Sequence, residues 1–245
     1  MLIANWKSNG SRKMAIDWFN KFFENYSFKN NKTFIGIAPP SIYIDQINNL
    51  IKPNINTGLQ DIESFSGART GSISAEMAID LGCKFSIIGH SERRELYKET
   101  NEQIKEKIIN LNKKIMPILC IGETKKENIE GQTKNALRTQ LEIIKDCNLH
   151  DLFTVAYEPV WAIGSGKTPH PEEINEIHKF IKDVVQSLST NNLVPDVLYG
   201  GSVTDKNAKS FFNQEFVDGA LIGGASLDGF IFAEIVNTFN GTLDR

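Results

Sequence analysis

Short apolar runs of strand composition alternate without a break with longer segments whose apolar residues recur at helical spacing. This alternation constrains the fold more than any other feature of the chain. The strand-like runs are residues 2–6 (LIANW), 33–38 (TFIGIA), 55–60 (INTGLQ), 85–89 (FSIIG), 116–121 (MPILCI), 154–157 (TVAY), 197–199 (VLY) and 219–222 (GALI). Helical faces between them include Trp18, Phe19 and Phe22, then Ile44, Ile47 and Ile51 behind a capping Ser41. A short helix is expected over residues 75–81. Thr100 and Gln103 stand at capping-box spacing ahead of Ile104, Ile108 and Leu111. Leu137, Leu141 and Ile144 mark another helix, and Pro171 opens the one with the clearest stripe, Ile174, Ile177, Ile181, Val184 and Leu188. Residues 206–212 and 230–239 supply the last two.

Strand followed by helix, repeated, means a parallel sheet covered by helices. Eight such units in 245 residues match a closed α/β (β/α)8 barrel in count and length, as one domain over residues 1–245. An open, doubly wound sheet is the competing architecture. That fold announces itself with a glycine-rich first turn, whereas the first strand here ends in Asn5-Trp6-Lys7.

Composition narrows the function classes. A net charge of −3 supplies no general attraction to nucleic acid or an anionic membrane, so any anion site must be local. Cys83, Cys120 and Cys147 form no CxxC pair, and with four scattered histidines they make no metal-ligand cluster; no metal is expected. This cysteine usage fits a reduced, cytoplasmic setting. Asn5 and Lys7 interrupt the region where a signal peptide needs its apolar core, and no apolar run is long enough to span a bilayer.

Chemistry in such a barrel belongs at the C-terminal ends of the strands. The sixth strand ends in Glu158, followed by Pro159, which cannot donate to a sheet ladder. An apolar loop, Val160 to Ile163, then runs into Gly164-Ser165-Gly166, a pattern suited to a flap that closes over a ligand. A carboxylate under an apolar flap is a candidate base whose pKa burial would raise. A strand-end glutamate hydrogen-bonded into a turn would look the same. The fourth strand ends in His90, ahead of a possible helix N-terminus that would lower the imidazole pKa and keep it neutral. A histidine satisfied by local backbone is the alternative. Lys7 past the first strand can hold a phosphate or polarise a carbonyl, but taken alone it also reads as a surface lysine. His150, His170 and His178 fall in or beside helices and read as structural or solvated.

The last two strands end in Gly200-Gly201-Ser202 and Gly223-Gly224, with no basic residue. One glycine pair marks only a tight turn. Two at consecutive strand ends, with Gly164 on the flap, point to backbone amides around a phosphate. Base, imidazole, lysine and phosphate nest together imply a small phosphorylated carbonyl substrate and proton abstraction beside the carbonyl, with no cofactor.

At this point the chain resembles a known family. The segments ANWKSNG (4–10), IIGHSERR (87–94), CIGET (120–124), AYEPVWAIGSGKT (156–168), YGGSV (199–203) and LIGGASL (221–227) are similar, in order, to those of the triosephosphate isomerases. The resemblance covers the chain from residue 2 to its last helix. It implies a TIM barrel that interconverts dihydroxyacetone phosphate and D-glyceraldehyde 3-phosphate, in glycolysis and gluconeogenesis, without a cofactor. Carried over position by position, it makes Glu158 the base, His90 the electrophile and Lys7 the positive charge. It makes Asn5, Lys7, Gly164, Ser202, Gly223 and Gly224 substrate-binding, and places Ser91 and Glu92 behind them, Glu92 beside Lys7. Residues 159–168 match the closing loop.

The long loop from Gln60 to Glu76, with Thr70 near its tip, resembles the family's interdigitating dimer loop and implies a homodimer. Three positions depart from the family pattern. Ser72 stands where a glutamate that pairs with the neighbouring subunit's arginine, matching Arg93, is common. Ser8 replaces a bulkier apolar residue, and Pro169 ends the flap where a small residue is usual and restricts Thr168. An aldolase of the same fold would need a Schiff-base lysine inside the barrel, where this chain offers Glu158. A non-catalytic phosphate-binding or structural relative would tolerate damage at Glu158, His90 or Lys7, and all three are intact.

Overall fold

Each of the eight apolar runs forms a strand, and each strand pairs in parallel with its neighbours. The computed structural model describes residues 1–27, 33–65, 67–111, 114–149, 153–162 and 168–243. In chain order the elements are β1 (Leu2–Asn5), α1 (Arg12–Asn25), β2 (Ile35–Ala38), α2 (Ile44–Asn48), β3 (Ile55–Leu59), α3 (Ala75–Asp80), β4 (Phe85–Ile88) and α4 (Ser91–Leu96). There follow α5 (Asn101–Asn110), β5 (Met116–Ile121), α6 (Lys125–Ile129), α7 (Thr133–Leu141), β6 (Thr154–Tyr157), α8 (Pro171–Leu188), β7 (Asp196–Tyr199), α9 (Ala208–Phe212), β8 (Ala220–Ile222) and α10 (Gly229–Leu243). The strand order β1 to β8 closes on itself, with Leu2, Ile3 and Ala4 opposite Ala220, Leu221 and Ile222. This is the (β/α)8 barrel expected from the alternation.

The strand period of two divides the core into two shells. Ile3, Phe85, Ile87, Ile118, Leu198 and Leu221 belong to an inner cluster that fills the barrel. Leu2, Ile37, Ile88, Leu119, Val155 and Val197 join the larger cluster between strands and helices. Full burial of one such Leu, Ile or Val contributes about 1.5–3 kcal/mol. Where the ring closes, Trp18 of α1 stacks on Phe22 at 5.1 Å and meets Trp6 edge-on at 5.6 Å. Phe232 of α10 completes the contact, and the Trp18 indole N–H donates to Ser226 O at 2.8 Å.

Several local expectations change. Ser41 does not cap a helix: Pro40 precedes a 3-10 turn over Ser41–Tyr43, and α2 itself ends at Asn48, leaving Ile51 beyond it. The amide side chain of Asn48 bonds Leu81 O and the Thr57 hydroxyl, tying the helix end to neighbouring elements. The helix start considered behind His90 is present, and one further short helix adds to the predicted set. His90 caps α4, and a Thr124/Glu127 capping box starts α6. The predicted helix carrying Ile144 is α helix only to Leu141, then a 3-10 turn over Glu142–Asp146.

The loop after β3 is anchored by charge. Lys107 of α5, 4% exposed, lies 2.7 and 2.9 Å from the two Asp61 carboxylate oxygens and also pairs with Glu99. Arg93 reaches Asp61 at 2.8 Å. Further along, Ser72 donates to Glu63 at 3.0 Å. Among the described residues, Arg93 therefore has its carboxylate partner within its own chain.

Candidate active site

The C-terminal ends of β1, β4, β6, β7 and β8 open into one cavity of about 320 Å³, lined by Asn5, Lys7, His90, Glu158, Ser202, Gly223 and Gly224 among others. These residues are up to 219 positions apart in sequence; strand closure alone brings them to one mouth. Gly164 lies outside the described residues, as does most of the glycine end of the flap.

Glu158 follows β6 directly and is 1% exposed. Its Oε1 is 2.8 Å from His90 Nε2, and its Oε2 accepts the Ser91 N–H at 2.9 Å. Space for Glu158, side chain and backbone, is made by glycines on both flanking strand ends. A Cβ at Gly200 would sit 2.8 Å from Glu158 Cγ, and one at Gly122 would sit 1.7 Å from the Glu158 carbonyl oxygen.

The pKa expected for Glu158 is corrected by these contacts. Burial does push the carboxyl up, but the His90 charge and hydrogen bond, the Ser91 amide and the Lys7 charge outweigh it, and the group lies below its ordinary value. The expected lowering at His90 is reversed in the same way. Burial lowers it, yet Glu158 and then Glu92 raise it further, so the imidazole lies above its ordinary value while Glu158 rests against it. The helix N-terminus is nevertheless in place. His90 Nδ1 accepts the Glu92 N–H at 3.2 Å, which leaves Nε2 as the nitrogen that donates.

Lys7 sits just beyond β1 with φ +49°, a left-handed conformation that a non-glycine residue adopts at some expense. Its backbone is held at both ends. The Lys7 N–H donates to Asn5 Oδ1 at 3.0 Å, and Gln60 Nε2 donates to Lys7 O at 2.8 Å and to Ala38 O at 2.9 Å. The ammonium group meets Glu92 at 2.7 Å. Asn5 is buried beside it.

Four contributors are not among the residues singled out in the sequence. Gln60, read as the end of the third strand and the start of the long loop after it, clamps Lys7. Glu123 is fully buried and accepts from Tyr157 Oη at 3.0 Å, Trp161 Nε1 at 2.7 Å and Asn128 Nδ2 at 3.2 Å, so it holds the first part of the flap. Val203 and Thr204 extend the glycine wall of the cavity. A carboxylate at the end of β5, placed just before a capping box, was the available signal for Glu123. His170 caps α8 at the surface, and His150 lies outside the described residues.

A carboxylate and an imidazole in contact, with an ammonium group nearby and a wall of backbone on the far side, suit proton transfer on a small anionic molecule. By class this is a (β/α)8-barrel enzyme of general acid–base chemistry. A family model described as triosephosphate isomerase matches residues 1–239. The triosephosphate isomerase of Buchnera aphidicola subsp. Cinara cedri is 44% identical over 98% of each chain. Those of Baumannia cicadellinicola subsp. Homalodisca coagulata and Serratia proteamaculans are 43% and 40% identical, over 96% of this chain and 95% of theirs. The chain belongs to the triosephosphate isomerase family. No described helix is long and apolar enough to cross a membrane.

Proposed function

We propose that this cavity interconverts dihydroxyacetone phosphate and D-glyceraldehyde 3-phosphate, with Glu158 as the base. The observation that carries the assignment is the convergence of Glu158, His90 and Lys7 on one cavity walled by Gly200–Thr204 and Gly223–Gly224. Glu158 takes a proton from the carbon beside the carbonyl and returns it to the neighbouring carbon. The intermediate is an enediolate, whose oxygens are stabilised by the His90 Nε2–H and the Lys7 ammonium group, and the hydroxyl proton passes from one of these oxygens to the other so that carbonyl and hydroxyl exchange places. No step needs a cofactor. Asn5 binds substrate and orients Lys7; Ser202, Gly223, Gly224 and Gly164 hold the phosphate through backbone amides; Ser91 and Glu92 stand behind.

In the resting arrangement Glu158 is engaged with His90 and the Ser91 amide. To act as base it leaves both. Its pKa then rises, because burial persists while the groups that lowered it are lost. The same movement removes the main influence raising His90, so burial and the Glu92 amide favour the neutral imidazole that can donate to a carbonyl. Closure of residues 159–168 excludes water and protects the enediolate from losing phosphate.

The active form is a cytoplasmic homodimer joined through residues 60–76, with Thr70 near the tip. Phe65 and Tyr97 are exposed apolar side chains lining one surface depression beside this loop, which supports that reading.

The test is turnover of D-glyceraldehyde 3-phosphate by the purified protein, with chelator and without cofactor, beside Glu158→Gln. Loss of a catalytic base lowers kcat by roughly 10²–10⁴-fold, with the fold unchanged. A folded native protein without isomerase activity would refute the assignment; an active Glu158→Gln would remove Glu158 from the role.

A further inference from the structure

Residues 200–204 wall one side of the cavity without forming helix or strand. A wall of that kind favours an anion only if its peptide planes are held the right way round. A backbone N–H facing the ligand attracts it, and a carbonyl in the same place repels it. Asn207, outside the cavity lining and at the start of α9, grips this loop twice. Its Nδ2 donates to Ser202 O at 2.9 Å, and its Oδ1 accepts the Thr204 N–H at 2.7 Å. The two grips flank Val203, itself part of the cavity wall.

The Ser202–Val203 peptide is trans, and in a planar trans peptide the carbonyl and the following N–H point in opposite directions. With its carbonyl turned to Asn207, this peptide turns the Val203 N–H away from Asn207.

We propose that Asn207 is a positioning residue for the phosphate group of the substrate: without touching the ligand, it holds residues 202–204 so that the Val203 amide faces the anion. The assignment rests on the phosphate reading of the cavity given above and deepens it. The wall from Gly200 to Thr204 carries no cationic side chain, so peptide orientation decides its sign.

Asn207→Ala removes both grips at a partly exposed position. Three measurements are needed on the variant and the native protein: the thermal midpoint, the Kd of inorganic phosphate by titration, and kcat/KM for D-glyceraldehyde 3-phosphate and for unphosphorylated D-glyceraldehyde. Loss of one hydrogen bond to a charged group predicts a Kd for phosphate raised about tenfold and a similar fall in kcat/KM for the phosphorylated substrate. The value for D-glyceraldehyde should stay unchanged, since nothing in its binding uses the phosphate wall. An unchanged phosphate Kd, or equal losses on the two substrates, would overturn the assignment. Native protein that binds phosphate but does not isomerise would sink the isomerase reading alone, with Asn207 still judged by the ratio of phosphate Kd values. Native protein that binds no phosphate would overturn both.

Discussion

His178 shows how a single residue's surroundings decide its chemistry. It sits on α8, fully buried, edge-on to Tyr157 at 6.0 Å and 3.2 Å from Phe216 O. Burial is the main cause that lowers its pKa to about 3, so the ring is neutral and structural at physiological pH. An unfolded chain, with an ordinary histidine pKa near 6.5, binds a proton that the folded protein refuses. Stability from this group is therefore complete above pH 6.5 and is lost as pH falls toward 3, by about 1.4 kcal/mol per unit below 6.5. Denaturant unfolding at pH 7, 6 and 5 should show that slope in the native protein and its reduction by nearly one proton in His178→Phe. Identical slopes in the two proteins would rule out the neutral buried ring. His90 carries the same side chain but meets a carboxylate, and its pKa moves the other way.

At the scale of elements, the flap is held by the strand beside it. Glu123 at the end of β5 accepts from Tyr157 on β6 and Trp161 on the flap, and its carbonyl accepts the Val160 N–H at 3.3 Å. Burial pushes its carboxyl up, and its hydrogen bonds oppose that. Glu123→Ala leaves the Tyr157 hydroxyl and the Trp161 N–H without their acceptor, at about 1–3 kcal/mol for each buried group left unpaired. We expect a lower unfolding midpoint, faster proteolysis near residues 160–162 and a fall in kcat/KM above tenfold. Native activity with unaltered proteolysis would show that the flap is held elsewhere. Pro159 and the apolar run mark the start of this loop in the sequence. Its anchor comes from another βα unit, so the sequence offered Glu123 only as a strand-end carboxylate before a capping box, with no sign of what it holds.

Association belongs to the scale of the whole molecule. The ion pairs of Asp61, Arg93, Glu99 and Lys107 are made within one chain, and Ser72 bonds Glu63 of its own loop. Phe65 (47% exposed) and Tyr97 (70% exposed) are available for contact with a second chain. Sedimentation equilibrium at micromolar concentration should give twice the 27.5 kDa chain mass, and Phe65→Asp should shift the protein toward one chain mass with loss of activity. A fully active native monomer would exclude the dimer reading.

The alternation of apolar periods, Pro39-Pro40 after β2 and the strand-end residues Lys7, His90 and Glu158 were legible because they are local facts: period, breaker and position along one strand. They were enough for eight parallel strands and for the residue types standing at the mouth. The directions of the Glu158 and His90 pKa shifts were not legible, since each depends mainly on the other, 68 positions away at the end of a different strand. Gln60 beneath Lys7 and Glu123 beneath the flap escaped for the same reason; Asn207, only 5 and 3 residues from Ser202 and Thr204, escaped because spacing alone does not show which peptide a side chain turns. Local spacing tells a residue which strand end or turn it occupies; only closure of the barrel decides which other group lies within 3 Å of it, and hydrogen bonds and charge act over that distance.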